Sequence, residues 1–113
     1  MASPITTHVL DTNLGKPAAS IHVILFKQID GIWKEITSGT TNSDGRITDW
    51  LEGEAREQGV YRILFDTDSY FAAQGKTCFY PSVNFDFRIE NTDEHYHVPL
   101  LISAYGISTY RGS

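Results

Sequence analysis

Alternation of apolar and polar side chains constrains this chain more than any other feature. Across residues 82–90, Val83, Phe85, Phe87 and Ile89 alternate with Asn84, Asp86, Arg88 and Glu90. Successive side chains point to opposite faces only in an extended strand, so this stretch reads as a half-buried strand with a polar outer face. The period recurs along the chain. Residues 20–27 read as a strand rich in branched apolar residues. Asp30-Gly31 is a hairpin signal, and residues 33–41 supply the return strand. Ser43-Asp44-Gly45 is a second turn. Residues 5–11, 60–66, 96–103 and 105–111 complete the set of strands.

One segment breaks the pattern. Residues 67–75 open near capping residues and end on Gly75, which predicts a helix of about two turns. Residues 52–58 have helix-forming composition but little apolar face, and read as a loop or turn. Seven or eight short strands with one short helix predict an all-β sandwich. The chain has 113 residues, the size of one domain spanning 1–113, and no internal repeat or linker.

Composition narrows the function classes. Hydrophobic residues make up 41% and aromatic residues 12%, too many for a disordered chain. Acidic residues outnumber basic ones by 14 to 9, with no Lys or Arg run, so no nucleic-acid partner is expected. The longest apolar runs, such as residues 23–26, fall far short of the ~20 residues that span a bilayer, so no membrane partner is expected either. Met1-Ala2-Ser3-Pro4 is not the pattern of a secretory leader, and a single cysteine, Cys78, excludes an intrachain disulfide. The expected compartment is the cytoplasm.

The chemistry must come from polar residues on strands. Period two puts Thr6, His8 and Leu10 on one face of the first strand. By itself, His8 reads as an exposed histidine on an edge strand. His95 and His97 also share a face, with Pro99 following on it. Proline has no amide donor, so that strand is an edge or carries an irregularity. A His-x-His pair is a weak zinc signal, since a catalytic zinc normally needs a third ligand; two surface histidines are the plainer reading. Arg46 leaves the Asp44-Gly45 turn, where an arginine is usually solvated unless it points into a site and holds a planar anion or carbonyl. The last four residues, Tyr110-Arg111-Gly112-Ser113, carry a strand pattern almost to the end, where a terminus normally frays. There is no Gly-x-Ser-x-Gly elbow and no phosphate-binding glycine loop. Cys78 sits in no nucleophile motif and reads as a small, partly buried residue.

Taken together, these blocks resemble the transthyretin family, in its 5-hydroxyisourate hydrolase branch. The matching pieces are Thr7-His8-Val9-Leu10-Asp11, Gly15-Lys16-Pro17-Ala18, Thr41-Asn42-Ser43-Asp44-Gly45-Arg46, Tyr70-Phe71 and Phe79-Tyr80-Pro81. The last block is His95-Tyr96-His97-Val98-Pro99-Leu100-Leu101-Ile102-Ser103, running into Ser108-Thr109-Tyr110-Arg111-Gly112-Ser113. They stand in family order over nearly the whole chain, and the Tyr-Arg-Gly-Ser ending is the most specific. The hormone-carrier branch resembles this chain in its strands but lacks that ending, the histidine pair and the arginine.

The resemblance implies a transthyretin-like sandwich of two four-stranded sheets with one short helix. It implies a homotetramer, a dimer of dimers, with active sites in a central channel. It implies that His8, Arg46, His97 and Ser113 are catalytic, and that Tyr110, Arg111, Leu10 and Pro99 contact a purine-derived substrate. The family reaction hydrolyses 5-hydroxyisourate in urate breakdown and needs no cofactor or metal. Ser113 would act through its hydroxyl or its terminal carboxylate. A small-ligand carrier using the same channel is the alternative. A face of His, Pro and Leu suits a partly apolar pocket with few polar groups.

Overall fold

The computed structural model describes residues 4–51 and 57–112. Ser113, and residues 52–56 of the expected loop, lie outside the described residues. The elements in order are β1 (Ile5–Asp11), β2 (Lys16–Pro17), β3 (His22–Ile29), β4 (Ile32–Thr40), β5 (Arg46–Ile47), β6 (Gly59–Phe65), α1 (Thr67–Ala72), β7 (Val83–Ile89), β8 (Tyr96–Ile102) and β9 (Ile107–Thr109).

They form the expected sandwich. One sheet has the order β4-β3-β6-β7, and the other runs β2-β1-β8-β9 with β5 also on β1. Strand β1 pairs with β8 along its whole length, so β2 and β5 must share its other edge. That sheet is therefore four positions wide although it holds five strands. The inward set of β1 (Ile5, Val9), β3 (Val23, Leu25), β6 (Tyr61, Ile63, Phe65) and β8 (Leu100, Ile102) is fully buried between the sheets. Each such side chain contributes roughly 1.5–3 kcal/mol by leaving water.

Local chemistry explains the β3–β4 hairpin and the start of α1. Asp30 and Gly31 both have positive φ, 52° and 77°, as a tight two-residue hairpin between β3 and β4 requires. Helix α1 is capped by Asp66, whose carboxylate accepts from the Ser69 amide at 3.1 Å and the Ser69 hydroxyl at 2.7 Å. It runs six residues, close to the expected two turns. Phe71, fully buried, anchors it to the core.

Two expectations need correction. The last strand is only Ile107–Thr109, not residues 105–111. Strand β8 is not an edge, since β1 and β9 flank it. The irregularity that Pro99 demands lies instead in the β8–β9 ladder. Pairing runs from Ile102↔Ile107 to Leu100↔Thr109, skips Pro99 and Val98, and resumes in the same register at His97↔Gly112. The missing proline donor interrupts the ladder without shifting it.

Candidate active site

The parallel pairing of β1 with β8 assembles the site. Its register sets Thr6 beside His97, His8 beside Pro99 and Leu10 beside Leu101. Paired residues share a face, so these side chains all stand on the outer face of the sheet. The intervening residues, Ile5, Thr7, Val9, Tyr96, Val98 and Leu100, are buried against the core.

Strand β5 adds the arginine. It pairs with β1 in the register His8↔Arg46, which puts the guanidinium on the same face. The turn before it has little freedom. Gly45 has φ 73°, and a Cβ there would lie 2.5 Å from the Val9 carbonyl oxygen. The Asn42 side chain accepts from the amides of Asp44 (2.9 Å) and Arg46 (3.0 Å), and the Val9 amide donates to the Gly45 carbonyl at 2.8 Å. The turn is thus clamped to β1, and Arg46 follows with it.

Electrostatics show that the three groups act on one another. Burial, then the Arg46 guanidinium, holds the His8 imidazole below its ordinary 6.5, with Asp44 pulling weakly the other way. Burial, then Arg46, then His8 and His95, lowers His97. Both histidines are therefore biased toward the neutral form, the form that accepts a proton.

The C-terminal segment closes over this face. The Gly112 amide donates to the His97 carbonyl at 2.9 Å. A Cβ on Gly112 would meet the His97 ring at 2.5 Å, so only glycine lets the segment lie flat on the imidazole. Tyr110 follows the same register opposite Pro99 and is 60% exposed. Arg111 is ion-paired with Glu94 at 2.8 Å and stacked over the Tyr96 ring at 4.4 Å. Alternation turns it from the face of His97, yet it borders the same hollow as His97 and Tyr110. Ser113, the fourth expected catalytic residue, lies outside the described residues.

Thr6 carries no signal of its own in the sequence beyond sharing a face with His8. It is 3% exposed, and its hydroxyl lies 2.9 Å from His95 Nε2 and 2.8 Å from His97 Nδ1. The histidine pair read as a weak zinc signal thus converges on a hydroxyl. Among the described residues no cluster of three or more His, Cys, Asp or Glu side chains is arranged to hold a metal ion. Nor is any helix among them long and apolar enough to cross a membrane.

A hollow of about 620 Å³ opens at the sheet edges between Phe85, Phe87, Tyr96, Val98, His97 and Tyr110. It reaches His97 but neither His8 nor Arg46. His8 and Arg46 stand on the sheet face beside that cleft, and His97 borders both.

Residues 5–112 match the HIUase/Transthyretin family, and the chain belongs to it. It is 43% identical over 109 residues to a 5-hydroxyisourate hydrolase of Salmonella dublin, covering 96% of this chain and 80% of that protein. Its fold is similar to Klebsiella pneumoniae 5-hydroxyisourate hydrolase (TM-score 0.83, 33% identity, 96% and 98% of the two chains covered). It is also similar to sea bream transthyretin in complex with thyroxine (TM-score 0.92, 31% identity, 96% and 94% covered). Backbone likeness therefore does not separate the hydrolase from the thyroxine-bound transthyretin. The curated relatives do, and this chain is an enzyme of the hydrolase branch.

Proposed function

We propose that the chain hydrolyses 5-hydroxyisourate to 2-oxo-4-hydroxy-4-carboxy-5-ureidoimidazoline, with His8, His97 and Arg46 as its working groups. The observation that carries the reading is the convergence of those three side chains on one sheet face. Ring opening requires water to add to an acyl carbon and a ring nitrogen to leave. A neutral histidine takes the proton from water, and the resulting imidazolium returns it to the departing nitrogen. His8 and His97 divide this work. Arg46 holds the planar substrate and stabilises the charge that develops on the acyl oxygen. Leu10, Pro99 and Tyr110 line the same face and exclude water from the apolar edge of the substrate. Ser113, outside the described residues, is assigned to the site by resemblance alone.

The open face supports an assembled site. Substrate pockets are concave, and a flat face becomes one when a second face covers it. Strands β7 and β9 also leave free edges on the same side of both sheets, with Phe85, Phe87 and Tyr110 partly uncovered. A dimer of dimers, paired through those edges and stacked across the histidine faces, would use both features. A lone thiol at Cys78 suits a reducing compartment such as the cytoplasm.

The experiment is the ultraviolet decay of freshly generated 5-hydroxyisourate with and without protein, corrected for spontaneous decay. Acceleration by the native chain that vanishes in His8→Ala is expected. A folded protein that leaves the decay rate unchanged would redirect the assignment to a small-ligand carrier, the one use the sea bream likeness favours.

A further inference from the structure

Two imidazoles and one buried hydroxyl form a continuous hydrogen-bonded chain: His95 Nε2, Thr6 Oγ1, His97 Nδ1, at 2.9 and 2.8 Å. Thr6 is buried, His97 is half-buried and His95 is exposed. A hydroxyl has one hydrogen to donate, so it cannot donate to both rings at once. If it donates to one imidazole, the other must donate to it. The protonation of the two rings is therefore coupled by geometry.

We propose that Thr6 and His95 form a proton relay that sets the tautomer of His97 and exports its charge to the surface. The inference rests on the hydrolase reading. In one arrangement Thr6 donates to His97 Nδ1, and the His97 hydrogen sits on Nε2, the form of an acid. In the other, His97 Nδ1 donates to Thr6, Thr6 donates to His95 Nε2, and His97 Nε2 is a free base. That second nitrogen has no hydrogen-bond partner among the described residues, so it is the one left for chemistry.

The relay balances through a turnover. Water adds its oxygen to the acyl carbon and gives a proton to His97 Nε2. The Nδ1 proton passes to Thr6, and the Thr6 proton passes to His95 Nε2, which carries the positive charge. When the ring nitrogen leaves it takes the proton from His97 Nε2, and the relay runs back. Three neighbours make the transfer useful. The His97 ring faces His8 from β1 and Arg46 from β5, with Gly112 packed on it, so a positive charge there is opposed by charge and burial. His95 lies at the surface beside the Glu94–Arg111 ion pair, whose Arg111 also reaches the His95 carbonyl at 3.4 Å. Solvent supports a cation at His95 better than the sheet face does at His97.

The test uses Thr6→Val, Thr6→Ser and His95→Gln in the full chain. It measures kcat and KM for hydroxyisourate across pH, and the ring nitrogen shifts of His97 by ¹⁵N NMR without substrate. Thr6→Val should lose kcat by roughly tenfold or more with KM little changed, and the acid limb of its pH profile should move. Thr6→Ser, which keeps the hydroxyl, should restore most of that loss. His95→Gln, at an exposed position, should lower kcat and shift the His97 nitrogens; it carries the test if Thr6→Val does not fold. A folded Thr6→Val with unchanged kcat and pH profile would overturn the relay. So would equal losses in Thr6→Val and Thr6→Ser, or His97 nitrogens unmoved by His95→Gln. Those failures leave native turnover intact, whereas failure of the hydrolase reading shows as no native turnover at all.

Discussion

His97 meets the site on several sides. Its Nδ1 is held by Thr6, its ring lies under Gly112, and its charge state responds to Arg46 and His8. His97→Asn should keep the fold and lose turnover by about 100-fold or more, the usual worth of a positioned acid or base. Near-native turnover in a folded His97→Asn protein would remove that residue from the mechanism. The pH profile is a second check. Both histidines are held below 6.5, so a neutral base persists into mildly acidic solution. The acid limb of kcat/KM should have its midpoint below 6.5, and Arg46→Gln should move it upward by removing a repelling charge. A native midpoint at or above 6.5 would contradict the depression. Linkage has the same sign: the unfolded chain binds these protons more tightly, so stability falls as pH drops below 6.5.

Two short elements decide where the working groups stand. Strand β5 is only two residues long, and the Gly45 turn holds it on β1. Gly45→Ala would press a methyl group into the Val9 carbonyl and force a side chain into positive φ. It should lower the melting temperature and depress kcat/KM together, because Arg46 moves with the turn; an unchanged kcat/KM would show that the turn does not position the arginine. Helix α1 is tied to the end of β1 by Tyr70, whose hydroxyl donates to Asp11 at 2.7 Å. Burial first, and then this bond, push the Tyr70 phenol up to about 12. Tyr70→Phe leaves a buried carboxylate oxygen short of a partner and should cost about 1–3 kcal/mol in denaturant unfolding. Native stability tied to this proton should be complete below pH 10 and fade as pH rises toward 12; an unfolding midpoint unchanged by Tyr70→Phe would assign the link no energetic weight.

At the scale of the molecule, the open histidine face and the free edges of β7 and β9 belong together. Light scattering should return the mass of four chains. Ile107→Lys places a charge on the β9 edge, where Ile107 is 36% exposed, and should break the assembly while leaving the sandwich folded. Turnover should fall with the loss of assembly. A fully active single chain would show that one sheet face is a sufficient site.

Most of the strands, the Asp30-Gly31 hairpin, the Asp44-Gly45 turn and the position of the helix were legible along the chain, because each rests on neighbours within a few residues; the two-residue β2 and the bounds of β9 were not. Period two also placed His8 with Leu10, and His97 with Pro99, on common faces before any sheet was known. The family motifs named His8, Arg46 and His97 by resemblance; they said nothing of how the three meet. That depended on tertiary structure. The parallel pairing of β1 with β8 joins residues about ninety apart, His8 with Pro99 and Thr6 with His97, and no local pattern encodes a parallel register. The same pairing buried Thr6 between two imidazoles and made it more than another strand threonine. The β8–β9 register turned Arg111 from the face of His97 while laying Gly112 on the His97 ring. Alternation along a strand is a property of the backbone and can be read from the chain alone. Which strand lies beside which is chosen by burial of the whole core, and here that choice made the site.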